Sequence, residues 1–177
     1  MIDYPRPLLG FAAFSGTGKT TLLKRLIPLL NDKGLRVGLI KHAHHDVEFD
    51  TPGKDSYELR KAGASPVLLS SARRWALMVE RDNPCDPILQ DEVWRFDPKE
   101  IDLLLVEGFR HEAFAKIELH RPLLGKPLLF PDDPHIVAIA TDEPLSVTTT
   151  LPFMDLNDHA AIAGFILNNI VGRSGVG

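Results

Sequence analysis

The sequence predicts a three-layer α/β domain built on a mainly parallel sheet. Two patterns predict it. Short apolar runs bounded by turn residues alternate with stretches of helical periodicity, as repeated βαβ units require. A glycine-rich segment also stands between the first apolar run and the first periodic stretch, where such folds hold a ligand. The 177 residues, 44% hydrophobic and 25% charged, suit one domain over 1–177 with a real core, with 66–100 set apart as a hairpin or insertion region.

The elements follow in order. Leu8 to Phe14 is an apolar run that ends at Ser15-Gly16-Thr17-Gly18. Leu22, Leu23, Leu26, Ile27, Leu29 and Leu30 recur at helical spacing, with Pro28 inside the pattern and Gly34 as the C-terminal cap. Leu35 to Lys41 reads as the second strand, and His42 to Lys54 has no periodicity and reads as a loop. Asp55 is expected to cap a short helix through Ala62, with Glu58 completing a capping box and Gly63 ending it. Pro66 to Ser70 and Trp75 to Arg81 read as a β-hairpin around Ser71-Ala72-Arg73-Arg74. Residues 83–98 offer a short helix at most. Ile101 to Val106, Lys116 to His120 and Ile136 to Ala140 are the remaining strands, and Asp158 caps a last helix to about Val171.

Composition excludes several function classes. Lys plus Arg is 20 and Asp plus Glu is 24, a net charge of −4, which argues against a polybasic nucleic-acid or membrane-surface binder. The single cysteine, Cys85, cannot form an internal disulfide, so a disulfide-stapled secreted fold is not expected. The start of the chain lacks a signal-peptide pattern, and no apolar stretch is long enough to span a bilayer. A cytoplasmic protein is the expectation.

The strongest motif is Ala13-Phe14-Ser15-Gly16-Thr17-Gly18-Lys19-Thr20-Thr21, between a strand and a helix. Backbone N–H groups turned inward by glycines, at a helix start whose dipole faces the anion, make a triphosphate cradle. In a P-loop NTPase fold Ser15 to Lys19 would wrap the phosphates, Lys19 would reach the β and γ groups, the Thr20 hydroxyl would bind Mg²⁺, and Thr21 would support the α phosphate. The first glycine of the usual motif is Ala13 here. The competing reading is a plain Gly-Thr-Gly turn with an exposed lysine.

A phosphate loop works with a carboxylate at the end of a neighbouring strand. Glu107 occupies the carboxyl end of the 101–106 run and is the expected metal- or water-positioning acid, whereas Asp102 reads as a solvated strand start. Lys41-His42-Ala43-His44-His45-Asp46 leaves the second strand at the same sheet edge, and Asp46 would add a water-mediated contact to Mg²⁺. The histidines there suit a transition metal as well. His111, His120, His135 and His159 read as solvated. Asp142, after the Ile136 to Ala140 strand, can accept from guanine N1–H and N2–H₂ together, a donor pair adenine lacks. Spacing alone leaves Asp142 equally well read as a turn aspartate, since the N-K-x-D guanine motif is absent.

SGTGKTTLLKRLIP, GLIKHAHHD, PGKDSYELRKAGA, LLLVEGFRHE and AIATDEPL, in that order from about Leu8 to Leu145, resemble the molybdopterin-guanine dinucleotide biosynthesis protein B family (MobB). Residues 81–100 carry no landmark of it. The resemblance implies a homodimeric, weakly active GTPase that binds GTP and Mg²⁺ and assists the molybdenum cofactor guanylyltransferase in joining GMP to the molybdopterin cofactor. It implies phosphate binding by Gly16 through Thr21, Mg²⁺ near Glu107 and Asp46, and guanine recognition by Asp142. Lys41, Arg60, Lys61 and Arg110 become anion-contact candidates, or salt-bridged surface residues.

Two other activities fit the same loop. A P-loop small-molecule kinase would need an acceptor site and an arginine-bearing lid, for which Arg73, Arg74 and Arg81 are available. A metal-insertion GTPase would use the His42 to His45 cluster.

Overall fold

The computed structural model describes residues 2–43, 47–83 and 85–172. The chain divides into two compact units, Met1–His42 with Pro87–Gly177, and Ala43–Asp86. In chain order the elements are β1 (Leu8–Ala12), α1 (Lys19–Asp32), β2 (Val37–Lys41), α2 (Asp55–Lys61), β3 (Val67–Ser70), β4 (Trp75–Met78) and α3 (Leu89–Val93). They continue with β5 (Leu103–Glu107), β6 (Lys116–His120), β7 (Ile136–Thr141), β8 (Phe153–Asp155) and α4 (His159–Ile166), which runs on into a π-helical turn at Leu167–Val171.

The larger unit is a parallel six-stranded sheet of order β2-β5-β1-β6-β7-β8. Central strands of such a sheet are covered on both faces, which is why β5 reads as an unbroken apolar run. Its side chains serve two cores by the strand's period of two. Leu103 and Leu105 join Leu22, Leu26 and Leu30 of α1 and Ile162 and Ile166 of α4 on one face. Leu104 and Val106 join Leu89 and Val93 of α3, Phe109 and Phe114 on the other. The three-layer α/β expectation holds.

Local signals account for the helix ends. Gly34, at φ 87°, closes α1, with its N–H on Asn31 O and the Leu35 N–H on Leu30 O. The helix continues through Pro28, whose position is exposed. Asp158 Oδ1 accepts from Ala161 N–H and caps α4 as expected. The Asp55 cap is a correction: Lys54 occupies the cap position and no side chain caps the helix, so Asp55 and Glu58 both lie in the first turn. There they complement the helix dipole instead.

Three further corrections concern polar residues and a strand. Lys116, Glu118 and His120 alternate along β6, and all three are buried. Lys116 Nζ donates to Asp133 Oδ2 at 2.9 Å and to Glu112 O at 2.7 Å, while Glu118 accepts the N–H groups of Leu129 and Phe130 at 2.8 Å. Burial pushes the Glu118 carboxyl above its ordinary range against those two donors. His120, read as solvated from its sequence surroundings, is therefore buried beside Glu118, its Nδ1 3.9 Å from that carboxylate. Asp102 is no solvated strand start either: it accepts the Arg36 guanidinium at 2.8 and 2.9 Å and the Arg36 backbone N–H at 2.9 Å. Strand β8, three residues at the sheet edge, was not foreseen.

The smaller unit holds α2 and the expected β3–β4 hairpin, antiparallel from Val67↔Met78 to Ser70↔Trp75. Gly63, at φ 107°, ends α2 with its N–H on Arg60 O.

Candidate functional site

The phosphate loop leaves β1 where the chain first turns back across the sheet, at its carboxyl edge, the place at which open α/β sheets bind ligands. Gly16 and Gly18 take φ of 84° and 103°, conformations that a side chain would strain. Ala13 is outside that left-handed region, so the missing first glycine costs the backbone nothing there. Thr17 is buried and donates its hydroxyl to Phe14 O at 2.9 Å, fixing the loop from inside. Ser15, Gly16, Thr20 and Thr21 face outward. A methyl group built on Gly16 meets nothing within 4 Å.

Lys19 folds back over the loop, its Nζ donating to Ala13 O at 2.8 Å. Burial lowers its ammonium below the ordinary lysine range, opposed by the Glu107 carboxylate and reinforced by Arg110. Glu107 ends β5 and lies 3.6 Å from Lys41 Nζ. The next two residues turn sharply: Gly108 has φ 99° and Phe109 φ 50°. A Cβ on Gly108 would come 2.5 Å from the His42 Cβ, and the His42 N–H bonds Glu107 O at 2.8 Å. His42 also stacks on Phe109 with ring centres 4.7 Å apart. Lys19, Glu107, Lys41 and Arg110 thus share one electrostatic neighbourhood.

Asp142 sits beyond a different strand end. Thr141 Oγ1 donates to Glu143 O at 2.9 Å, a tight local turn that presents Asp142. Its Oδ2 pairs with Arg121 Nη1, while its Oδ1 is buried with no hydrogen-bond partner among the described residues. Such an orphan acceptor is costly unless a ligand donor meets it. A cleft of about 440 Å³ opens beside it, lined by Thr141 to Leu145, Phe153 and Asp155. A second, of about 340 Å³, lies against Gly18, Thr21, Arg25, Arg121 and Asn157.

Asp46, His44 and His45 lie outside the described residues. Among the described residues no group of His, Cys, Asp and Glu is placed to hold a metal by itself. Arg60 and Lys61 belong to the smaller unit, where Arg60 pairs with Glu48 and Glu80 and Lys61 lies 4.0 Å from Glu48. Arg110 is exposed, its Nε on His111 Nε2 at 3.1 Å. Sequence reading missed Arg121. The signal was available, since Arg121 follows the end of β6 as Asp142 follows that of β7.

Among the described residues no helix is long and apolar enough to cross a membrane. Residues 8–142 match the family model of molybdopterin guanine dinucleotide synthesis protein B. The molybdopterin-guanine dinucleotide biosynthesis adapter protein of Escherichia coli strain K12 is 52% identical over 162 residues, 91% of each chain. That of Haemophilus influenzae is 45% identical over 163 residues, 92% of this chain and 88% of its own. The crystal structure of Bacillus subtilis MobB superposes with a TM-score of 0.70 at 25% identity, covering 94% of this chain and 99% of the other.

Proposed function

Because the chain belongs to the molybdopterin guanine dinucleotide synthesis protein B family, we propose that it is the adapter of molybdopterin-guanine dinucleotide biosynthesis. In this reading it is a cytoplasmic homodimer that binds GTP and Mg²⁺ and assists the guanylyltransferase that joins GMP to the molybdopterin cofactor. One observation carries the nucleotide choice: the phosphate loop shares a sheet edge with the orphaned Asp142 carboxylate oxygen beside its cleft.

The residues divide the work. Backbone N–H groups of Ser15 to Lys19 at the start of α1 face the phosphates, and Lys19 exchanges its Ala13 carbonyl for a phosphate oxygen. Thr20 hydroxyl and Glu107 carboxylate are hard oxygen donors of the kind Mg²⁺ takes; for Asp46 the water-mediated contact stays an expectation of the sequence. Bound Mg²⁺ would neutralise charge on the β and γ phosphate oxygens. Asp142 takes the two guanine donors, and Thr21 supports the α phosphate. Hydrolysis is slow in this reading, and an arginine from a partner or a second protomer would raise it.

The hairpin supports the homodimer. Leu68, Leu69, Trp75 and Leu77 are all exposed, and a lone two-stranded ribbon is marginal in water. A second copy of the chain covers it.

Calorimetric titration with non-hydrolysable GTP and ATP analogues, each with and without Mg²⁺, tests the reading. GTP preference that Mg²⁺ strengthens and Asp142→Asn abolishes is expected. Lys19→Ala should weaken triphosphate binding far more than nucleoside binding. Preference for ATP would overturn the base-reader assignment and bring the small-molecule kinase forward.

A further inference from the structure

We propose that Arg121 is the positioning residue that ties guanine selection to phosphate occupancy, a strut between the phosphate loop and Asp142; this rests on the reading of Asp142 as the base reader. The guanidinium is held at two points. Its Nε donates to the Thr17 backbone carbonyl at 2.9 Å, and its Nη1 pairs with Asp142 Oδ2. Thr17 is a firm anchor, 2% exposed and bonded through its own hydroxyl to Phe14 O. The strand order explains why Arg121 can span the gap: β6, which it follows, lies between β1 and β7.

The electron count at Asp142 leaves room for a base. Each carboxylate oxygen accepts two hydrogen bonds. Arg121 uses one position on Oδ2, and Oδ1 is buried and unused among the described residues. One position on Oδ2 and both on Oδ1 are therefore unused by the described residues, enough for the N1–H and N2–H₂ pair. The Arg121 contact on Oδ2 sets the plane in which the carboxylate accepts. Because one guanidinium is bonded both to a carbonyl of the phosphate loop and to Asp142, phosphate and base affinities are linked through it, and the linkage acts in both directions.

Only arginine can make this strut. Its planar fork presents Nε and Nη1 in fixed relation, whereas a lysine ammonium is a single point donor. Arg121→Lys keeps the charge and removes the two-ended span. The remaining Nη2 lies 3.8 Å from where a Gly18 side chain would begin, so the group also packs against the start of α1.

The experiment titrates GTP, ATP, guanosine and Mg²⁺–pyrophosphate against the full chain, Arg121→Lys and Arg121→Ala, with thermal melting to confirm that each is folded. In the wild type, saturating pyrophosphate should raise guanosine affinity. Both variants should lose that rise and about tenfold of the GTP-over-ATP preference, about 1.4 kcal/mol. Combining Arg121→Lys with Asp142→Asn should lower the preference no further than Asp142→Asn alone, the mark of residues acting as a unit. If Arg121→Ala does not fold, Arg121→Lys decides. Unchanged preference in a folded variant, or equal weakening of GTP and ATP, overturns the proposal and leaves Asp142 as base reader. A wild type without GTP preference overturns the base-reader reading itself.

Discussion

Strand β5 and the β3–β4 hairpin are written in nearly the same residues, and they meet opposite fates. Leu103 to Val106 are all 0% exposed, shared between two cores above and below the sheet. Leu68, Trp75 and Leu77 are 59%, 71% and 53% exposed. An apolar run with a parallel neighbour on each side has helices to cover it. Among the described residues the hairpin strands pair only with each other, and their large apolar side chains are exposed. Apolar composition therefore marks a core in one region and an exposed surface in the other.

The largest contrast should come from trimming the core. Leu105→Ala is expected to cost about 2–5 kcal/mol, through lost burial and the cavity left behind. Chemical denaturation measures it, and a loss well under 1 kcal/mol would mean that the two-sided packing of β5 contributes little. Gly108→Ala ranks next. The added methyl group meets the His42 side chain at 2.5 Å in a left-handed backbone, a strain of about 1–3 kcal/mol. Since this turn aims Glu107, the variant should also lose Mg²⁺-dependent strengthening of GTP binding while keeping Mg²⁺-free binding. Retention of the full Mg²⁺ effect would separate Glu107 from the metal.

A smaller effect belongs to the Arg36–Asp102 clamp. Its hydrogen bonds hold the Asp102 carboxyl well below the ordinary carboxylate range. A depressed folded value means that the stabilisation is present above the unfolded value, near pH 4, and is lost as acid drives the pH down toward the folded one. Asp102→Asn should flatten the fall in melting temperature below pH 4 and leave the alkaline side unchanged. An acid limb identical to the wild type would assign that loss to other carboxylates, Asp133 first, where burial raises the group but Lys116 and the His135 N–H together hold it low.

The least change in folding stability is expected from Leu77→Ser, within about 0.5 kcal/mol for an exposed position. Its effect should appear in association: dilution followed by sedimentation should show the dimer parting at higher concentration than the wild type. Unaltered association would remove the hairpin from the dimer interface and break the contrast with β5.

Particular residues divide what was legible from what was not. The phosphate loop, β6 and the hairpin were readable because their signals lie in neighbouring residues, as glycine placement, periodicity of two and a four-residue turn. The Asp55 cap misled because Lys54, one residue earlier, is where the backbone enters the helix. His120 misled because alternation of polar residues on a strand usually means a wet face, and here Lys116, Glu118 and His120 are all buried, with the Leu129 and Phe130 N–H groups on Glu118. β8 was hidden by its length, three residues whose only strand partner among the described residues is β7.

The sequence by itself determined the α/β class, the parallel central strands, the phosphate loop and the Glu107 and Asp142 strand ends, since each is set by contacts a few residues apart. Only the tertiary structure decided that Arg121 reaches Thr17, 104 positions away, and Asp142, 21 positions away. It also decided that the charged face of β6 lies inside and the apolar faces of the hairpin outside. Those outcomes depend on which strands become neighbours and what covers them, and sheet order is set by packing across the whole chain rather than by any local pattern.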